Sequence, residues 1–298
     1  MSESITTNQQ DQPKQLDLEY SGFEARTIQD RGLTILAFTL LGLAILPLVL
    51  VVSYVIIKGF SRFNLNLLTE IPPTAMQQGG GISSAIVGTI LLVIIAGIIS
   101  IPFGIGAAIY LAEFSPKIVA KWIRFATNVL SGVPSIIVGI FAYSVIVLTM
   151  DQFSAFAAGT ALAILMLPIV IRTTDEALQL VPQEVRWASV GVGASNFQTV
   201  LKVVLPAALP AILTGTTLAL ARAAGETAPL IFTVLFSQYF PNGIFDESVP
   251  SLSVLIYNFA TVPYQNQQEL AWAASLILVL IVLIASVLSR FIARQQTY

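Results

Sequence analysis

Apolar residues in this chain come in runs too long for a soluble core. Uncharged, mostly apolar stretches occupy Gly32–Ile57, Ile82–Ala112, Phe125–Met150, Gln152–Ile171 and Leu270–Ser289. A sixth, Val203–Phe236, is interrupted only by Arg222 and Glu226. About 20 such residues cross a hydrocarbon core about 30 Å thick. The pattern therefore predicts an all-α integral membrane protein with six transmembrane helices. Asp151 is the only charge between the third and fourth runs, which predicts a helical hairpin with a short turn. Residues 1–30 are polar and lack the apolar centre of a signal peptide. They read as a tail, and the first span reads as one kept in the mature protein. The expected division is a polar tail, 1–30, and a membrane body, 31–298.

Composition agrees with this and removes several functions. Of 298 residues, 56% are hydrophobic and 10% charged, against about 25% charged in a soluble domain. The net charge of −2 offers no basic surface for nucleic acid. Without Cys or His there is no thiolate or imidazole metal site, and no Cys/His or Ser/His/Asp catalysis. No cofactor is expected.

The positive charges give an orientation. Eleven of the 14 Lys and Arg fall on one side if six helices cross. They are Lys14, Arg26, Arg31, Lys117, Lys121, Arg124, Arg172, Arg186, Lys202, Arg290 and Arg294. The opposite side has Lys58 and Arg62, and its last loop, Ser237–Glu269, carries only Asp246, Glu247 and Glu269. Cytoplasmic loops hold the excess of Lys and Arg, so both termini are expected in the cytoplasm.

The loop between the fourth and fifth spans, about 173–206, is the most informative. Pro182 should end the helix leaving the membrane. A new helix can begin there, with Glu184 and Arg186 on it, and Glu184 in the first turn favours the helix dipole. Gly191 and Gly193 break that helix, and Ser195 is a plausible N-cap for a second short one. On the second, Phe197, Val200 and Leu201 share an apolar face. Pro206 and Pro210 lead into the fifth span. An apolar face outside the bilayer fits either a part that docks into another protein or an ordinary surface loop.

The loop resembles the "EAA" coupling motif of type I ABC importer permeases. That motif reads E-A-A, three residues, Gly, nine residues, I-x-L-P. Here Trp187, Ala188 and Ser189 take the first positions, Gly193 the Gly, and Val203, Leu205 and Pro206 the end. Trp187 departs from the usual Glu, and Glu184, one turn earlier, is the candidate substitute. "SGVPSIIVGIFAY" (Ser131–Tyr143), "EALQLVP" (Glu176–Pro182) and "ALARAAGETAPLIFT" (Ala219–Thr233) are similar to phosphate-importer permeases. "ETAPL" and "SLSVLIYNFATVPYQ" (Ser251–Gln265) favour the PstA-type family over the PstC-type. The likeness runs from about Leu33 to Arg294.

The resemblance implies a type I ABC importer permease fold in the bacterial inner membrane, importing phosphate. It implies a PstC-type permease as partner, a dimer of ATP-binding subunits at the coupling loop, and a phosphate-binding protein outside. The chain has no G-x-x-x-x-G-K-[ST] sequence, so ATP hydrolysis is expected in a partner and not here. Ser237–Glu269 would meet the binding protein, with Leu252–Ala260 as a short helix at the outer interface.

Arg222 and Glu226 are the candidate substrate contacts. If the fifth span starts near Leu209, Arg222 lies about 20 Å along it, near mid-bilayer. A central Arg costs about 2.5–3.5 kcal/mol to insert, so it should face protein or water. At i and i+4 the two can pair on one helix face, and Gly225 would allow another helix to approach closely. The pair is then a permanent structural bridge or an anion site. In the second case the Arg fork contacts oxyanion oxygens, Glu226 moderates it, and Thr227 adds a hydroxyl. The resemblance places this R-x-x-x-E pattern on the pore-lining helix. Asn128 and Ser135 are weaker candidates for the same path. Importers of sulfate or molybdate, an ion-coupled transporter and a channel remain alternatives.

Overall fold

A computed structural model describes residues 25–245 and 247–295. Most of the expected tail, with Lys14, lies outside the described residues, as does Asp246. The chain divides into two units, 1–53 and 54–298. The first is described by helix α1 (Ala25–Phe60) up to Ser53. Every side chain described from Gln29 to Ser53 is exposed, which an apolar helix tolerates only when lipid or protein covers it.

The second unit opens on the last turns of α1. There the Tyr54 ring meets Trp272 edge-on, with centroids 5.0 Å apart. Then follow α2 (Leu65–Thr69), α3 (Ser83–Ile109), α4 (Lys117–Ser131), α5 (Ser135–Ala142), α6 (Leu148–Met150), α7 (Ala155–Gln179) and α8 (Gln183–Gly191). The rest are α9 (Asn196–Thr199), α10 (Leu205–Ala224), α11 (Ala228–Thr233), α12 (Leu252–Thr261) and α13 (Gln265–Gln295). One-turn π-helices extend α3 at Tyr110–Phe114, join α5 to α6 at Tyr143–Val147, and join α9 to α10 at Val200–Val204.

Among the described residues, five helices are long and apolar enough to cross a membrane: Gln29–Phe60, Ser83–Phe114, Ala155–Gln179, Asn196–Ala224 and Gln265–Leu288. The third of the six expected spans is not a single rod. It is a pair, Lys117–Ser131 and Ser135–Met150, bent by 99°. The bend lies at Gly132–Pro134. Pro134 has no N–H to give, and Val133 before it is pushed out of the α region. The hairpin between the third and fourth runs is present. Asp151 turns the chain with φ 54°, and Ser154 caps α7 by accepting from the Ala157 N–H at 3.1 Å.

Two expectations about the fifth span are corrected. The second helix of the loop is not short: Ser195 caps one helix that runs unbroken from Asn196 to Ala224. Nor does that helix reach Phe236. It ends at Ala224, with Gly225 as its cap, and restarts at Ala228 with Pro229 in the first turn. Proline at that place forfeits no helical bond.

Helices without a hydrophobic drive toward one another pack through small residues. α3 and α7 follow this rule. A Cβ on Gly104 would sit 2.7 Å from Val170 Cγ1, and one on Gly159 would collide with Ile95. α10 meets α7 where Gly215 lies on Thr173. Around these contacts Leu92, Leu162, Met166 and Val170 form the buried centre. Gly104→Leu is therefore expected to cost about 1–3 kcal/mol of packing, read as a lower Tm in detergent. Gly106→Leu, two residues on and with nothing within 4 Å, is the control and should leave Tm unchanged.

At one end of this unit, Arg62 pairs with Glu269 at 2.8 Å and also with Asn266. Asn266 donates to the carbonyls of Gln77 and Gly79, and Gln238 and Gln267 both donate to Pro73 O. These bonds lock the end of α1 and the start of α13 to residues 71–81. Glu269, one of the three acids of the expected last outer loop, is thus paired with a cation. The expected helix Leu252–Ala260 exists as α12, with one face packed inward and Tyr257 and Ala260 exposed on the other. Leu252, Val254, Leu255 and Phe259 are buried, and Ser251 caps it through Val254 N.

Candidate functional site

Arg222 sits in the last turn of α10, where a cation opposes the negative end of the helix dipole. Glu226 lies one residue beyond the Gly225 cap, so the two do not share a continuous helix face. They still meet, Arg222 Nε to Glu226 Oε1, at 3.5 Å. That is the outer limit of a hydrogen bond. The Arg222 side chain is 59% exposed and Glu226 17%. No other described helix of this chain approaches Gly225. Only the Arg222 carbonyl lies within 4 Å of its notional Cβ among the described residues. Its role is to end the helix.

The break is held from outside. Ser253 Oγ, at the start of α12, donates to Glu226 O at 2.8 Å. Thr227 caps α11 through its carbonyl, which accepts from Leu230 N and Ile231 N. α11 in turn packs on α5: a Cβ on Gly139 would lie 2.7 Å from the Pro229 Cα. So the two interrupted stretches, Gly132–Pro134 and Gly225–Thr227, belong to helices that rest on each other. Ser135 starts α5 just past the first break. Asn128 is exposed on α4, beside a cleft of about 170 Å³ that it shares with Arg124, Thr127 and Asp175. Neither is brought to Arg222 by any contact described here.

The other arginines are held more firmly. Arg124 grips Asp175 with two bonds, 2.7 and 2.8 Å, joining α4 to α7. Arg172 bonds Glu176 at 2.9 Å along α7. Arg186 pairs with Glu113 and donates to Leu178 O at 2.7 Å. Against these, Arg222 has the longest ion-pair contact of the described residues, and its side chain is 59% exposed, about as open as that of Arg172.

The loop expected to couple is a well-made unit. α8 carries Glu184 in its first turn and ends at Gly191. Gly193 turns the chain with φ 90°, a conformation costly for any residue with a side chain. Ser195 and Gln198 then form a capping box. Across the turn the Ser189 and Thr199 hydroxyls are 2.9 Å apart. Trp187, Ala188, Gly193 and Phe197 are exposed, whereas Leu205 is half-buried and Pro206 exposed on α10. The expected Phe197–Val200–Leu201 face is divided. Val200 is 3% exposed and turned into the body, leaving Phe197 and Leu201 outside. The outward surface is instead Trp187, Val190, Val192 and Phe197. Beside it lies a cleft of about 560 Å³ lined by Glu113, Gln179, Gln183, Arg186, Trp187 and Asn196.

Glu113, Asp175 and Ser253 were not singled out by the sequence. A lone carboxylate at the end of an apolar run, opposite an Arg-bearing loop, was the available signal for Glu113.

Comparison with known proteins places this arrangement. Residues 100–298 match the family described as "Binding-protein-dependent transport system inner membrane component". A protein of Yersinia pestis, "Phosphate transport system permease protein PstA", is 41% identical over 242 residues, 81% of this chain and 82% of its own. One of the same name from Pasteurella multocida is 34% identical over 278 residues, 92% and 98% of the two chains. Among solved structures, a bacterial alginate ABC transporter chain superposes with TM-score 0.65 at 14% identity, covering 91% of this chain and 98% of its own. A chain of the inward-facing MetNI methionine ABC transporter gives 0.60 at 21% identity, covering 72% and 95%. At such identities the two structures speak for the fold alone.

Proposed function

The chain belongs to the family of binding-protein-dependent transport system inner membrane components, and from that premise we propose that it is the PstA-type permease subunit of an ATP-driven importer of inorganic phosphate. It forms half of the translocation path. A PstC-type permease supplies the facing half, a pair of ATP-binding subunits hydrolyses ATP, and a binding protein delivers phosphate from outside.

Arg222 carries the reading of the path. Its guanidinium is open in the single chain, loosely tethered, and set at a helix break. In a membrane such a group must be covered by a partner or by water. Interrupted helices are where transporters place ion sites, because irregular backbone there lines a cavity. The planar fork matches phosphate oxygens. Glu226 offsets part of the attraction, so that the anion can leave as well as enter. Thr227 offers a hydroxyl at the same break.

Glu184, Arg186, Ala188, Gly193, Phe197, Leu205 and Pro206 form the coupling segment in this reading. Its exposed Trp187 and Phe197 are aromatic anchors of the kind that seat in a partner's groove. ATP binding closes the ATPase pair and displaces α8 and α9, and the two permeases switch as rigid bodies between inward- and outward-facing forms. The bonds between α4, α7, α8 and the end of α3 bring the loop cations Arg124 and Arg186 to one end of the helical unit. This supports that end as cytoplasmic.

The test is transport in vesicles reconstituted with both permeases, the ATPase and the binding protein. ATP-dependent uptake of phosphate, with sulfate and molybdate excluded, is the expected result. Preferential uptake of either other oxyanion would replace phosphate as the substrate. Uptake without ATP or the ATPase would overturn the importer reading.

A further inference from the structure

One ion pair ties the outward-facing loop to the helical body, and the coupling motif does not contain its acid. Glu113 lies in the π-turn Tyr110–Phe114 that ends the second span, 73 residues before Arg186. The two side chains are only 11% and 13% exposed. Arg186 also donates to Leu178 O at 2.7 Å and reaches Val181 O at 3.5 Å, so it closes the C-terminal end of α7. One guanidinium thus joins three elements: α8, which carries it, the end of α7, and the end of α3. α8 is linked to α7 by a short stretch of backbone as well. It has no such link to α3, from which α4 to α7 separate it in the chain.

The local geometry fits this task. A π-turn shifts the register of the residues after it, and such turns cluster at functional positions. Here it delivers Glu113 to Arg186. Mostly covered by protein at the edge of the cleft, the pair is screened less than an exposed one and resists separation more. Next to it on α8, Trp187 and Val190 face outward. One side of α8 is therefore free for a partner and the other is pinned.

We propose that Glu113 is a positioning residue of the transport cycle: through Arg186 it makes α8 and the end of α3 move as one body, so that displacement of the loop by the ATPase is passed to the helical core. This rests on the reading of α8 and α9 as the ATPase-docking segment. From α7 the displacement continues through the Arg124–Asp175 bonds to α4, whose bend leads to α5 and so to α11 beside Glu226.

The assay uses the full complex in vesicles with binding protein and inorganic phosphate. Glu113→Gln is expected to keep the ATPase bound and hydrolysing ATP, to lose stimulation by the loaded binding protein, and to reduce uptake about tenfold, within the range carried by packed coupling networks. Glu113→Asp, which keeps the charge, should retain most of the uptake. Glu113→Gln combined with Arg186→Gln should be no worse than either alone. If Glu113→Gln fails to accumulate, the pair Glu113→Met with Arg186→Met, which leaves no unpaired buried charge, decides in its place. Normal uptake and stimulation in the variant that accumulates would overturn the proposal. So would loss of the bound ATPase, which would make the pair part of the docking surface, and so would additive effects of the two Gln changes. Failure of the underlying reading looks different: with Gly193 and Phe197 both changed, the ATPase would stay bound and uptake would persist.

Discussion

Arg222→Gln is expected to abolish phosphate uptake, a fall of about two orders of magnitude or more, while the complex still assembles. The size follows from removing the charged donor from a site that handles a charged species. The direction of the assembly result follows from geometry. A contact of 3.5 Å from a side chain 59% exposed contributes little to holding helices together. The fold at the break is held instead by Ser253 on Glu226 O, by the Thr227 carbonyl, and by Gly139 against Pro229. None of these uses the guanidinium. Uptake of radiolabelled phosphate, measured beside copurification of the partner permease and ATPase, separates the alternatives. Loss of the complex would assign Arg222 to structure. Arg222→Lys keeps charge but loses the fork, and should recover only part of the uptake.

The second large effect is expected at the turn of the coupling loop. Gly193→Val places a β-branched side chain at φ 90°, where such residues are strained by about 1–3 kcal/mol. The loop has no reserve to absorb this, because Ser189 and Thr199 must meet across the turn. The angle between α8 and α9 should change, and with it the spacing of Trp187 and Phe197. The expected outcome is a complex that loses its ATPase subunit, or retains it without transport, while the permease stays in the membrane. Gly191→Ala is the control: Gly191 lies inside α8 with nothing within 4 Å, so added volume there should be harmless. Normal uptake and a normal complement of ATPase in Gly193→Val would remove the coupling role from this turn.

The spans were legible because lipid imposes a simple demand on composition: about 20 apolar residues, whatever else they do. The hairpin at Asp151 and the cap at Ser195 were legible too, since turns and caps depend on local chemistry. The breaks were not. Pro47, Pro102, Pro168 and Pro210 lie inside helices, yet Pro134 marks a 99° bend. All five sit in similarly apolar sequence, which does not tell a proline that a helix tolerates from one that breaks it. Gly225 read as a place for close helix approach; among the described residues of this chain no other helix comes near it, and it ends α10. Periodicity put Val200 on a face with Phe197 but could not say what lies against that face. Of the candidate residues, Arg222 and Glu226 were marked by their cost in an apolar run. Glu113 and Asp175 needed partners 73 and 51 residues away, and no local pattern reports such pairings.

The Arg62–Glu269 pair joins residues 207 apart. A ribosome adding about 5–20 residues per second needs roughly 10–40 s to make that stretch. Throughout this time the end of the first span has its cation but not its anion, and the carbonyls of Gln77 and Gly79 wait for Asn266 on the same late helix. The final helix is thus a clasp that fastens last. Until it is made, residues 71–81 lack the donors that Asn266 and Gln267 bring to the carbonyls of Pro73, Gln77 and Gly79.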